Sequence, residues 1–234
     1  MNISLSYYSE IGKRKTNEDA VSVLETRKGI LAIVADGLGG MGNGDLASQQ
    51  TVRVLNELLG SGEVSADLME KAILKANEEV CSLQCEHPGA HSTVAAVWLE
   101  DSFAYALHVG DSRIYQFRDG DIVYQSVDHS LAQLAVISGD LKPEEIRTHK
   151  TRNKLIRAIG TSTSPKAAQQ ILELRAGDRL LLCSDGFWEN ILEAEMLASA
   201  QRTDNAEDWL REMRAIAEPA ARDNNTAIAI LIIH

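Results

Sequence analysis

A chain of 234 residues, 44% apolar and 24% charged, has the length and composition of one sizeable globular domain over 1–234. Its formal charge of −11, with a pI near 5.0, argues against nucleic acid as the principal partner. No apolar run reaches the roughly 18 residues of a membrane span, residues 1–15 lack the basic-then-apolar order of a secretory signal, and 3 cysteines are too few for a disulfide framework, so a cytoplasmic setting is expected.

Residues 3–8 alternate and predict a first strand, and Ala20–Leu24 predict a second. Between them lies Gly12-Lys13-Arg14-Lys15-Thr16-Asn17-Glu18-Asp19, a basic cluster touching an acidic pair. The apolar run Ile30–Ala35 reads as a strand buried on both faces; it stops at Asp36, and Gly37, Gly39, Gly40, Gly42 and Gly44 follow. A stiffly held carboxylate inside a close-fitting backbone loop suits a hard cation. The simpler alternative is a turn with Asp36 capping the next helix. Helices are predicted over 45–59, stopped by Gly60, and over 66–85 after an N-cap at Ser65. Cys81, Cys85, His87 and His91 lie too close together for the usual spacing of two zinc-ligand pairs.

From Ser92 the pattern turns to hairpins, with short strands at 93–99, 103–109, 112–117 and 121–125 and a turn at Arg118-Asp119-Gly120. The second of these ends in Gly110-Asp111, another acid at a strand exit. Residues 128–170 are mixed. A helix ended by Gly139, a helical turn from Pro143, a strand or helix over 153–160 and a polar, mobile stretch over 161–170 read together as a flap, approximately 131–170. Strands are then expected at 171–174 and 179–183, the latter followed by Ser184-Asp185-Gly186. Helices at 193–202 and 206–221 precede Asp223-Asn224-Asn225-Thr226 and a last strand over 227–233. Strands with a helix pair near each end suggest sheets between helical layers.

Asp36, Asp111 and Asp185 thus stand at strand exits and Asp223 at a strand entrance. If those ends meet, the carboxylates cannot all stay ionised without compensation. Cations are the simplest compensation, and oxygen-only ligands point to Mg2+ or Mn2+ rather than zinc.

Six motifs occur in order: Arg14-x-x-Asn17-Glu18-Asp19, Asp36-Gly37-x-Gly39-Gly40, Val109-Gly110-Asp111-Ser112-Arg113, Asp128-His129-Ser130, Ser184-Asp185-Gly186 and Asp223-Asn224-x-Thr226. With them the chain resembles the PPM (type 2C) family of metal-dependent serine/threonine protein phosphatases, in its compact bacterial form. The resemblance implies an α+β fold of two antiparallel β-sheets sandwiched between helical layers, and a centre of two tightly bound Mn2+ or Mg2+ ions. It implies that Asp36 bridges the two ions, that Asp185 and Asp223 complete the first, and that the Gly37 carbonyl binds the second. Glu18 would act through a water, Arg14 would clamp the substrate phosphate, and Asp111 with Asp185 would hold a weaker third ion. Leu38 stands where some members carry a histidine suited to protonating the leaving group, so a metal-held water is the expected acid. His129 reads as structural and Cys183 as a small core residue.

The expected activity is hydrolysis of phosphoserine and phosphothreonine in proteins, by a monomer that reverses a bacterial serine/threonine kinase. The rival readings are hydrolysis of another phosphoester and a non-catalytic phosphoprotein-binding module of the same fold.

Overall fold

Alternation of apolar residues along the strands sets the layers. In the computed structural model, which describes residues 2–39, 42–60, 64–161 and 165–233, the chain runs β1 (Ile3–Glu10), β2 (Asp19–Glu25), β3 (Ile30–Leu38), α1 (Gly44–Leu59) and α2 (Ala66–Leu83). There follow β4 (His91–Ser92), β5 (Val94–Glu100), β6 (Phe103–Val109), β7 (Arg113–Arg118), β8 (Asp121–Gln125) and α3 (Leu131–Ser138). A 3-10 turn (Pro143–Thr148) then leads to β9 (Ala168–Glu173), β10 (Arg179–Cys183), α4 (Asp185–Trp188), α5 (Glu193–Arg202), α6 (Ala206–Ala217) and β11 (Asn225–Ile232). One antiparallel sheet has the order β1-β11-β10-β7-β8, and the other β2-β3-β5-β6-β9 with β4 added beside β3.

In β3 the side chains of Ala32 and Val34 meet Ile114, Leu180, Leu182, Ile228 and Ile230 of the opposite sheet. Their neighbours Leu31, Ile33 and Ala35 face the other way, onto Leu55 of α1 and Ile73 of α2. The first sheet behaves alike, with Leu181, Cys183, Ala227 and Ala229 packing on Met196, Trp209 and Met213 of the last two long helices. A period of two on strands buried on both sides gives three apolar layers, and so helices, sheet, sheet, helices. Each fully buried leucine or isoleucine in them contributes on the order of 1.5–3 kcal/mol. The two sheets between helical layers expected from the sequence are the architecture found.

Several local expectations need correction. The strand from Ile30 continues through Asp36 to Leu38, because Gly37 and Leu38 pair with Ser92 and His91. Residues 153–160 form neither strand nor helix; single bridges, Ser130 to Leu155 and Ser92 to Ile159, hold them instead. Ala168–Gln170, expected in a mobile polar stretch, pair with β6 in β9, so the flap closes before 168. The helix expected to reach 221 ends at Ala217, and the short α4 was not anticipated. The flap is tied down at both ends. Asn77 and Gln84 of α2 bond the backbone of Gly160, and Arg147 and Arg152 reach Glu193 and Glu189. Gly40 of the glycine loop and residues 162–164 of the flap lie outside the described residues. Among the described residues, no helix is long and apolar enough to cross a membrane.

Candidate active site

The face of each strand that lines the inter-sheet layer turns polar at one end of the sandwich. Past Val21 and Val23 on β2 lies Asp19; past Ala32 and Val34 on β3 lies Asp36. Thr93 lies before Ala95, Ser184 after Leu182, and Thr226 before Ile228. Asp19 and Asp36 are direct cross-strand partners, which places two carboxyl groups side by side. The hydroxyls form the frame around them. Ser184 Oγ donates to Asp19 Oδ2 at 2.8 Å, and Asp36 N donates to Thr93 Oγ1 at 3.0 Å. Thr93 Oγ1 in turn lies 2.6 Å from Ser112 Oγ, next to Asp111.

Asp111 leaves β6 and Asp185 opens α4, and both are buried with Asp19 and Asp36. Burial pushes the Asp36 carboxyl well above the usual range, and the neighbouring charges of Asp185, Asp19, Asp111 and Asp223 push it further. Burial, then Asp111 and Glu189, does the same to Asp185. Asp19 rises to about 6 through burial, which the Thr226 and Ser184 hydroxyls partly offset. Asp111 rises to about 7 through burial and then the charge of Asp128. One oxygen on each of Asp19 and Asp111 is buried with no hydrogen-bond partner. Buried acids with spare oxygens and mutually raised pKa values are the signature of a site that wants positive charge.

Glu18 adjoins the acids, its carboxylate accepting from Gly44 N at 3.1 Å and its backbone N–H donating to Asn224 Oδ1 at 2.8 Å. Gly37 is needed because a Cβ there would overlap the carbonyl oxygens of Gly44 and Glu18. Gly186 is needed because a Cβ would overlap the Asn224 carbonyl. Arg14 and Asp223 do not stand apart, as separate roles would suggest: Arg14 grips Asp223 in a two-pronged ion pair, Nε to Oδ1 at 2.7 Å and Nη2 to Oδ2. Asn224 holds the Arg14 loop, donating to the carbonyls of Ile11 and Thr16.

Asp128 and Arg113 form a buried fork, both bonds 2.8 Å, with Arg113 stacked 3.5 Å over Trp188. Trp188 Nε1 donates to the Asp111 carbonyl at 2.9 Å, so this group anchors Asp111. His129 also anchors that loop. Its Nδ1 accepts from Gly110 N at 3.1 Å and its ring stacks on His108 at 4.7 Å. Burial, then the neighbouring His108 and Arg157, lowers its pKa to about 3, so it is neutral at physiological pH.

The sequence expectation omitted Asp19. Its signal was an acid bordering the apolar strand Ala20–Leu24, the same pattern that singled out the others.

No three His, Cys, Asp or Glu side chains among the described residues converge into a ready metal cage. Asp223 is engaged by Arg14. The unpartnered oxygens of Asp19 and Asp111, the raised acids and the all-oxygen donor set nonetheless fit a hard divalent cation. They do not fit zinc, and the Cys81 thiol donates to the Thr161 carbonyl at 3.3 Å.

Residues 8–229 match the family model described as protein phosphatase 2C, and the chain belongs to that family. It is 31% identical over 227 residues to the serine/threonine protein phosphatase PstP of Mycobacterium tuberculosis, covering 94% of this chain and 43% of that one. The chain therefore spans less than half the length of this curated relative. Among solved structures it resembles the serine/threonine phosphatase of S. agalactiae, with a TM-score of 0.91 and 26% identity over 99% of this chain and 100% of that one. It also resembles the catalytic domain of PstP solved in complex with two manganese ions, with a TM-score of 0.83 and 27% identity over 100% of both chains.

Proposed function

We propose that this chain is a single-domain, metal-dependent phosphatase acting on phosphoserine and phosphothreonine in proteins. Mn2+ or Mg2+ would be held by Asp36, Asp185 and Asp223, by the Gly37 carbonyl and by Glu18 through water. Asp111 with Asp185 would hold a weaker third ion, and we add Asp19 as the acid that completes the negative wall behind Asp36. The observation that carries the reading is the group of buried carboxyls with unpartnered oxygens beside an exposed guanidinium, in a chain of this family.

When bound, a divalent pair supplies charge neutralisation and brings the pKa of water to near neutrality. The chain supplies the rest. Arg14, 54% exposed at its side chain, offers a planar fork to the oxygens of a phosphate once Asp223 is drawn to a cation. Thr93 and Ser184 fix Asp36 and Asp19, so little reorganisation is needed when charge develops. Leu38 has no proton to give, so the leaving group takes its proton from water. No thiol is required: burial pushes the Cys183 thiol up, and it stays protonated.

The physiological role would be to reverse a serine/threonine kinase, as a cytoplasmic monomer. The test is release of phosphate from phosphothreonine peptides with Mn2+ or Mg2+, abolished by EDTA and restored by metal. Turnover undiminished in chelator sinks the metal reading. Faster turnover of nucleotides than of phosphopeptides would favour another phosphoester.

A further inference from the structure

Beside the candidate site, a polar cavity of about 360 Å3 is walled by four arginines, Arg14, Arg147, Arg152 and Arg222, together with Glu189 and Asp223. That concentration of cationic groups is unusual on a chain of net charge −11. The four differ in how far they are committed. Arg147 is a fixed wall, its Nε donating to Trp188 O at 3.1 Å and its Nη2 to Ile191 O and Glu193. Arg152, in the flap, is aimed by a single bond from Nε to Glu189 at 2.6 Å; neither of its Nη groups has a partner among the described residues. Arg222, exposed in the loop before β11, has no hydrogen-bond or ion-pair partner among the described residues. The Arg14 guanidinium is bound, among the described residues, only to Asp223. The cavity thus runs from the residue that would grip the reacting phosphate to two guanidiniums with donors to spare, one from the flap and one from the loop before β11.

We infer that this cavity is a second anion subsite, which takes a carboxylate or a second phosphate near the phosphoresidue being hydrolysed. It therefore makes acidic or multiply phosphorylated segments the preferred substrates. The inference rests on the phosphatase reading above and names its substrate class. A guanidinium with both Nη groups available recognises carboxylate and phosphate by the same planar fork. Because Arg222 is exposed, the attraction is screened and should weaken within the physiological salt range.

The experiment uses the full chain with Mn2+ and peptides bearing one phosphothreonine in a neutral background. A glutamate, or in a second series another phosphothreonine, is walked from three residues before to three after it. Wild type should prefer an anion at one or two of these positions by about three- to ten-fold in kcat/KM, carried chiefly by KM. The acidic-to-neutral ratio should fall toward 1 in Arg222→Ala and Arg152→Ala, fall below 1 in Arg222→Glu, and stay largely intact in Arg222→Lys. A larger gain from phosphate than from glutamate identifies a second phosphate as the source; equal gains identify simple acidity.

Anisotropy titration of the same peptides, labelled, reads the preference without turnover. Preference in binding with no hydrolysis of any peptide would defeat the phosphatase reading and leave the subsite standing. No preference in wild type, or the same ratio in wild type and both alanine variants, overturns the subsite even if every peptide is hydrolysed.

Discussion

Asp111→Asn should stabilise the metal-free protein, and by an amount that depends on pH. The Asp111 carboxyl is buried, one oxygen has no partner, and its pKa is raised from 3.8 to about 7 by burial and by Asp128. A carboxyl raised that far binds its proton more tightly folded than unfolded. Its stability contribution is complete below the unfolded value near 3.8 and is lost as pH rises through about 7. Keeping it ionised above pH 7 costs at most about 4 kcal/mol, and coupling among the acids reduces this to about 2 kcal/mol. At this chain length that is about 4–8 °C in Tm. Thermal unfolding in EDTA should therefore show Asp111→Asn ahead of wild type by clearly less at pH 5 than at pH 8. Excess Mn2+ should narrow the gap, since cations that bind only the folded acids restore wild type. A Tm difference that is the same at pH 5 and pH 8, or that favours wild type at pH 8, would refute the account of Asp111 as an uncompensated buried acid.

Asp36→Asn should abolish phosphopeptide turnover and weaken Mn2+ binding at least ten-fold by calorimetry, with the near-UV circular dichroism of the fold retained; near-wild-type activity would remove Asp36 from the centre. Arg14→Ala should raise KM for phosphopeptides and lower kcat, and it should also tighten Mn2+ binding by a few-fold, because Asp223 no longer has a guanidinium partner to give up. Weaker Mn2+ binding in that variant would show that Arg14 supports the site rather than competing for it.

The layers were legible because period-two apolar strands and amphipathic helices leave few alternatives; Asp36, Asp111 and Asp185 were legible because each ends an apolar strand beside a glycine, and Asp223 because it stands just before one. Asp19 was missed although it borders a strand in the same way, because Asn17-Glu18-Asp19 reads equally well as a solvated turn until β2 is laid against β3. The hydroxyl frame was not legible at all. Ser9, Thr93, Ser112, Ser184 and Thr226 are common residues, and only the pairing of distant strands brings them together. Local sequence was also silent on Arg14 and Asp223: they are 209 positions apart, and each suggested its own role rather than a mutual bond. The flap resisted reading for the opposite reason. Residues 153–160 carry an apolar pattern, but isolated bridges and the side chains of Asn77 and Gln84 hold them, not a ladder.

The acids are placed by residues that are not acids. Val21 and Val23, like Ala32 and Val34, face the opposite sheet, and that choice of face commits Asp19 and Asp36 to the same side two residues further along. Slipping β3 by one residue would turn Leu31, Ile33 and Ala35 into the inter-sheet layer and strip the contacts to α1 and α2. It would also carry Asp36 out of line with Asp19. The core therefore resists the slip with many buried side chains, each contributing on the order of 1.5–3 kcal/mol. Against that, Asp19 has its pKa raised only from 3.8 to about 6, a cost of about 3 kcal/mol. The cost of burying and crowding the carboxyls is relieved where it arises, by protonation, by Arg14 or by a cation, rather than by a shift of the strands. A site that must crowd like charges is best built so, at the end of a register fixed by apolar residues several positions away.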